Sequence, residues 1–151
     1  MKLAEALILR ADVQKKIESL RARLKVVVMV QEGEKPIENP KVLLAELTTV
    51  LKQSEELVYR INKTNIHTKL SDGTTLTEAL AKREVLAKHH SILKDLAEAA
   101  NPTNRYGLSE IKTVTTLDIA SMQKQIDKLA KELREINGSI QEAGWKAVLS
   151  E

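Results

Sequence analysis

A chain of 151 residues with 42% apolar side chains is one domain's worth of sequence, and it can bury a sizeable core without metal or disulfide staples. It has no cysteine, which excludes disulfides, a thiol nucleophile and a thiolate metal site. With no phenylalanine, one tryptophan and two tyrosines, its composition is that of long helices rather than sheets. The 24 Lys and Arg and 21 Asp and Glu leave a formal charge of +3, but both signs are mixed along every segment, so a solvated surface is expected rather than a nucleic-acid footprint.

The first helix is expected over about residues 2–30. Its apolar seam recurs at three- and four-residue steps through Leu3, Ala6, Val13, Ile17, Leu20, Leu24 and Val27, interrupted by Arg10. Its last turn is rich in β-branched residues, which are mediocre helix formers, and Gly33 and Pro36 then stop it. Asn39 followed by Pro40 reads as an N-cap with proline at the first helical position, so the second helix should span about 40–65. Its stripe is broad, taking in Leu43, Leu44, Leu47, Val50, Leu51, Leu57, Val58 and Ile61, and a stripe that wide faces more than one neighbour.

Ser71-Asp72-Gly73 predicts a turn that closes either a small β-hairpin or an irregular loop. Thr75 with Glu78 forms a capping box for a third helix over about 76–100, whose seam runs Leu76, Ala79, Arg83, Leu86, His90, Leu93, Ala97 and Ala100. The connection from Asn101 to Leu117 is the longest. Its first half is turn-like, and its second half, Ile111 to Thr116, has strand composition that would let it pair with Ile66 to Leu70. The fourth helix, about 118–143, has an all-apolar seam of Ile119, Met122, Ile126, Leu129, Leu133, Ile136, Ile140 and Ala143. Gly144 is its expected stop, with Trp145, Val148 and Leu149 docking the tail.

One phrase occurs twice. Leu-x-Glu-Ala-Leu-x-x-Arg runs from Leu3 to Arg10 and again from Leu76 to Arg83, and Ile61-Asn62 and Ile136-Asn137 echo each other on the other two helices. The reading is an all-α fold in a single domain over residues 1–151: an antiparallel four-helix bundle of long coiled-coil-like helices, built as two pseudo-repeated helical hairpins. In that arrangement Arg10 and Arg83 approach Asn62, Asn65 and Asn137 at one end. Seam arginines must be paired or reach water. Either Asp12, Glu78, Glu132, Glu135 or Glu142 neutralises them, or their two guanidinium forks make a small-anion site for a carboxylate or phosphate.

Other chemistries find no pattern. Neither Glu-x-x-His nor His-Glu-x-x-His spacing occurs, no carboxylate loop suits calcium, and there is no phosphate-cradling glycine motif or nucleophile elbow. No catalytic residue, metal or cofactor is therefore expected. The longest apolar run, Val26 to Val30, is far short of the roughly 18 to 20 residues of a membrane span, and Glu5 and Asp12 break any signal-like opening, so the default is a soluble cytoplasmic protein.

The opening Leu3 to Asp12, the central Asp72-Gly73-Thr74-Thr75-Leu76-Thr77-Glu78-Ala79-Leu80, and the span from Ser109 through Ile140-Gln141-Glu142-Ala143-Gly144-Trp145 resemble the septicolysin-like family of small bacterial proteins. The resemblance implies a mostly helical single domain with no established catalytic residues. The family's name suggests a lysin, yet the chain has neither a spanning segment nor the alternating β-pattern of barrel-forming toxins. The function expected is a protein-interaction or self-associating module, a homo-oligomer or one bound to a protein partner, because the second and fourth seams offer more apolar surface than one antiparallel neighbour covers. The alternative is a small-anion or ligand-binding bundle at the Arg10/Arg83 end.

Overall fold

The computed structural model describes residues 1–100 and 113–151. Four helices follow in order: α1 (Leu3–Val27), α2 (Pro40–His67), α3 (Leu76–Ala99) and α4 (Ile119–Lys146). They form two helix pairs, α1 with α2 and α3 with α4, so the all-α, four-helix, two-hairpin organisation expected from the sequence is the one observed. The chain groups into two compact units. The first holds Met1–Lys69 together with Glu142–Glu151, and the second holds Leu70–Gln141.

In the first unit the seam is regular. Val13, Leu20 and Val27 from α1 and Leu43, Val50 and Leu57 from α2 form one buried cluster at seven-residue steps, flanked by half-buried Leu9, Ile17, Leu24 and Leu47. Each such side chain stabilises the pair by about 1.5–3 kcal/mol through burial alone. The helices are antiparallel. Lys16 pairs with Glu46 at 2.9 Å, while Arg23, seven residues further along α1, makes a two-pronged pair with Glu38, eight residues back before α2 begins. In the second unit the buried residues are Leu76, Ala79, Met122, Ile126 and Leu129 among those described, and the seam expected for α4 is half-buried at Ile119, Leu133, Ile136 and Ile140.

Most helix starts follow the expected chemistry. The Asn39 Oδ1 accepts from Lys41 N at 3.0 Å, with Pro40 in the first turn. Thr75 and Glu78 cap α3 reciprocally, Thr75 N donating to Glu78 Oε2 at 2.7 Å and Glu78 N to Thr75 Oγ1 at 3.2 Å. At α4, Ser121 N donates to Asp118 Oδ1 at 3.2 Å. The first helix uses half of the same device, Lys2 N donating to Glu5 Oε2 at 2.7 Å.

Helix ends depart from expectation. The first helix stops at Val27, three residues early, where the β-branched run loses its buried partners and Val28, Met29 and Val30 face water. The second runs two residues past Asn65, so Ile66 is helical, and Thr113 to Thr116 form no strand. The expected pairing of these two segments is therefore not present among the described residues. The turn-like stretch Asn101 to Gly107, with Ile111 and Lys112, lies outside them. The Asp72-Gly73 turn is real but closes a loop without strands: Leu70 N donates to Thr74 O at 2.8 Å, Gly73 N to Leu70 O at 3.0 Å, and Gly73 has φ +86°.

Gly144 does not stop α4, which continues to Lys146. The glycine is buried, and a Cβ placed on it would lie 4.0 Å from the Ala4 Cβ, so it marks a close approach of α4's last turn to α1 within the first unit. Beyond it the chain ends pair as a short antiparallel bridge, Leu3 N donating to Ala147 O and Leu149 N to Met1 O, both at 3.0 Å.

Candidate functional site

The polar end of α2 has an occupant already. Thr64 is buried, 2% exposed; its hydroxyl donates to Arg60 O at 2.7 Å and accepts from Ser150 N at 2.9 Å. Arg60 Nε donates to Ser150 O at 2.8 Å, and Lys63 Nζ to the Glu151 backbone oxygen at 2.8 Å. The cations that act here are thus Arg60 and Lys63, and what they hold is the backbone of the chain's own tail. Neither was singled out from the sequence, because the signal is a pair of contacts across 90 and 88 residues with no local pattern. Leu149 is buried as expected of a docked tail, whereas Trp145 and Val148 are 59% and 65% exposed.

The candidate ligand residues divide between the units. Arg10 and Asn62 are exposed and Asn65 is half-buried in the first; Arg83 and Asn137 are half-buried in the second. Among the described residues neither arginine has an ion pair or side-chain hydrogen bond. Three of the carboxylates expected to neutralise them are engaged elsewhere: Asp12 with Lys15 at 3.5 Å, Glu135 with Lys131 at 3.9 Å, and Glu142 with Lys146. Glu78 caps α3. An exposed guanidinium meets its hydrogen-bonding needs from water, so carboxylate neutralisation is not required of Arg10.

The repeated phrase has a different meaning from the one its arginines suggested. In both copies the glutamate, Glu5 or Glu78, accepts the N-cap backbone donor at 2.7 Å. The leucine and alanine, Leu3 and Ala6 or Leu76 and Ala79, are buried. The phrase encodes a helix start that caps itself and plugs into a core, and the arginine one turn later lies outside that device.

The second unit carries a cleft of about 500 Å³ between the first half of α3 and the second half of α4. Its charged lining is Asp72, Glu78, Glu132 and Glu135 with Lys82, over a floor that includes Ala79, Leu86 and Ile136. Asp72 accepts from the Thr74 hydroxyl at 2.6 Å and the Thr74 backbone at 3.0 Å, and these bonds hold its carboxyl below the usual range and ionised. Among the described residues the lining thus carries more acidic than basic groups, and Arg83 is not part of it. Among the described residues no group of three or more His, Asp or Glu is arranged to hold a metal ion.

The first unit also displays much apolar surface. On α2 the flank adjoining the α1 seam, about 100° around the helix from it, bears Leu44 and Leu51, 53% and 47% exposed, with Val58 half-buried beyond them. At the hairpin tip Val28, Met29 and Ile37 are 73%, 83% and 89% exposed. Among the described residues no helix is long and apolar enough to cross a membrane.

Comparison with known proteins agrees with this architecture. A functionally unknown conserved protein from Corynebacterium diphtheriae, known from its crystal structure, is 40% identical, matches over 99% of each chain and superposes with a TM-score of 0.94. No curated protein matches the chain. The model of DUF6847, a family of unknown function, matches residues 10–149, and the chain belongs to that family.

Proposed function

We propose that this protein is an interaction module, acting by self-association or by binding another protein through the apolar face of its first helical hairpin. The observation that carries the reading is that α2 is apolar on two faces and only one is covered. Leu43, Val50 and Leu57 are buried against α1, while Leu44 and Leu51 stay about half exposed. Leaving such a stripe in water forgoes about 25 cal/mol for every Å² of apolar area that a partner would cover. The α4 seam, which the sequence offered as a second source of surplus surface, contributes little, since Met122, Ile126 and Leu129 are buried.

The test is native mass spectrometry of the protein purified gently from its host. A dimer or a stable complex with a second protein is the expected result; a bare monomer at every concentration overturns the reading. A small-anion role at Arg10 and Arg83 draws less support from an exposed Arg10 and an acid-lined cleft beside α3. Replacing both arginines with methionine tests it: an adduct lost in that variant alone would revive the anion site. The septicolysin-like resemblance brings a lytic role as a further alternative, and dye leakage from liposomes at neutral and acid pH measures it directly.

A further inference from the structure

Positions seven apart on a helix share one stripe, and positions three or four apart lie on adjoining stripes. Leu44, Leu51 and Val58 form one such stripe on α2, and Lys41, Thr48 and Glu55 form the next, each three residues before an aliphatic. Lys41, Leu44, Thr48, Leu51 and Glu55 are all exposed. Two nearby acids of α2 are taken within the chain, Glu46 by Lys16 and Glu56 by Arg60 at 3.8 Å. Among the described residues Lys41 Nζ and the Glu55 carboxylate have no such partner.

The pattern is self-complementary. Leu44 and Leu51 are placed evenly about the Leu47-Thr48 step, and Lys41 and Glu55 about Thr48 itself, half a residue further on, with opposite charges at the two ends. A two-fold axis passing there would set Leu44 of one copy against Leu51 of the other, and Lys41 of one beside Glu55 of the other, each contact occurring twice. Antiparallel helices related in this way keep the same flank on the same side, so the ion pairs form a rim beside the leucines. An isologous contact needs a patch that matches itself, and a patch with like charges at both ends would not.

Resting on the interaction reading above, we infer that the partner for this face is a second copy of the same chain, docked α2 against α2 in antiparallel register about Thr48. A sedimentation-velocity concentration series on the full chain tests it with Lys41→Glu, Glu55→Lys, the double swap, and Leu51→Lys, all at exposed positions, with helicity checked by circular dichroism. Wild type should form a dimer. Each single charge reversal should weaken it by about tenfold or more, because like charges then meet twice per dimer, and the double swap should return to within about threefold of wild type. Leu51→Lys should abolish the dimer in the range tested.

A dimer indifferent to all four variants overturns this geometry while leaving self-association standing. A double swap weaker than either single change overturns the register. A monomer that instead carries a different protein overturns the second copy as partner and leaves the interaction reading intact; a monomer that carries nothing ends both.

Discussion

Thr64 shows how a polar residue is accommodated in the core of this fold. Its hydroxyl is at once a donor to the preceding turn of α2 and an acceptor for Ser150 N, so it satisfies a backbone donor of the tail. Thr64→Val keeps the shape and removes both bonds, and is expected to cost about 1–3 kcal/mol in urea denaturation, with Thr64→Ser closer to wild type. Gly144 makes the opposite case. Were it a helix stop in the left-handed region, alanine would be costly there. Because it lies inside α4 with a 4.0 Å gap to Ala4, Gly144→Ala should be neutral or stabilise by up to about 1 kcal/mol in the same assay. The sequence made Gly144 a stop because glycine near the end of an apolar period usually is one. The packing partner that gives it another reason lies some 140 residues away. Likewise Arg10 was placed in the seam by its spacing, yet Leu3, Ala6 and Val13 around it are buried and it is not. A long flexible side chain at the edge of a stripe carries its charge to water, and spacing alone does not tell edge from centre.

Elements were legible where the signals are local. The N-caps at Asn39 and Thr75 and the seven-residue periods of α1 and α2 are written in consecutive residues, and each helix exists where its period says. Helix ends were less so, since fraying at Val28 and extension to His67 depend on whether something covers the last turn. The loop before α3 is a case where local chemistry fixed the turn but not its setting. Asp72 closes it through Thr74, and those bonds depress the Asp72 pKa, the Thr74 hydroxyl first and its backbone N–H second. A carboxyl whose folded pKa lies below its unfolded value adds stability that is complete above the unfolded pKa and disappears as pH falls through the folded one. Asp72→Asn should therefore lower the urea midpoint at neutral pH. The gap from wild type should close as pH drops below about 4, the ordinary aspartate range. A gap that persists in acid would mean that the variant disturbs the loop for a reason other than charge.

At the scale of the whole molecule, the chain returns to where it began. The helix α4 starts in the second unit, yet its last turn and the tail belong with α1 and α2, and in that unit Ala143 and Leu149 are buried, as are Leu3, Ala6 and Ile61. The closure is two backbone bonds between the chain ends, side-chain bonds to the tail from Arg60, Lys63 and Thr64, and one buried leucine, with no share in the α1 and α2 cluster, so it is the place where the first unit should be easiest to open. Leu149→Ala removes most of a buried side chain and is expected to cost about 2–5 kcal/mol if the unit unfolds as one cooperative body. The loss is expected to be local first. Hydrogen exchange should rise at Leu3 N and Leu149 N, whose acceptors lie across the terminal bridge, and at Ser150 N, which depends on Thr64. The amides around Leu20 and Val50, at the middle of the α1 and α2 seam, should keep their protection, because the cluster that buries them takes nothing from the tail. Equal loss of protection at both places would show instead that the tail is part of the same cooperative core as the hairpin, and that the terminal bridge is a requirement for folding rather than a clasp on a hairpin already formed.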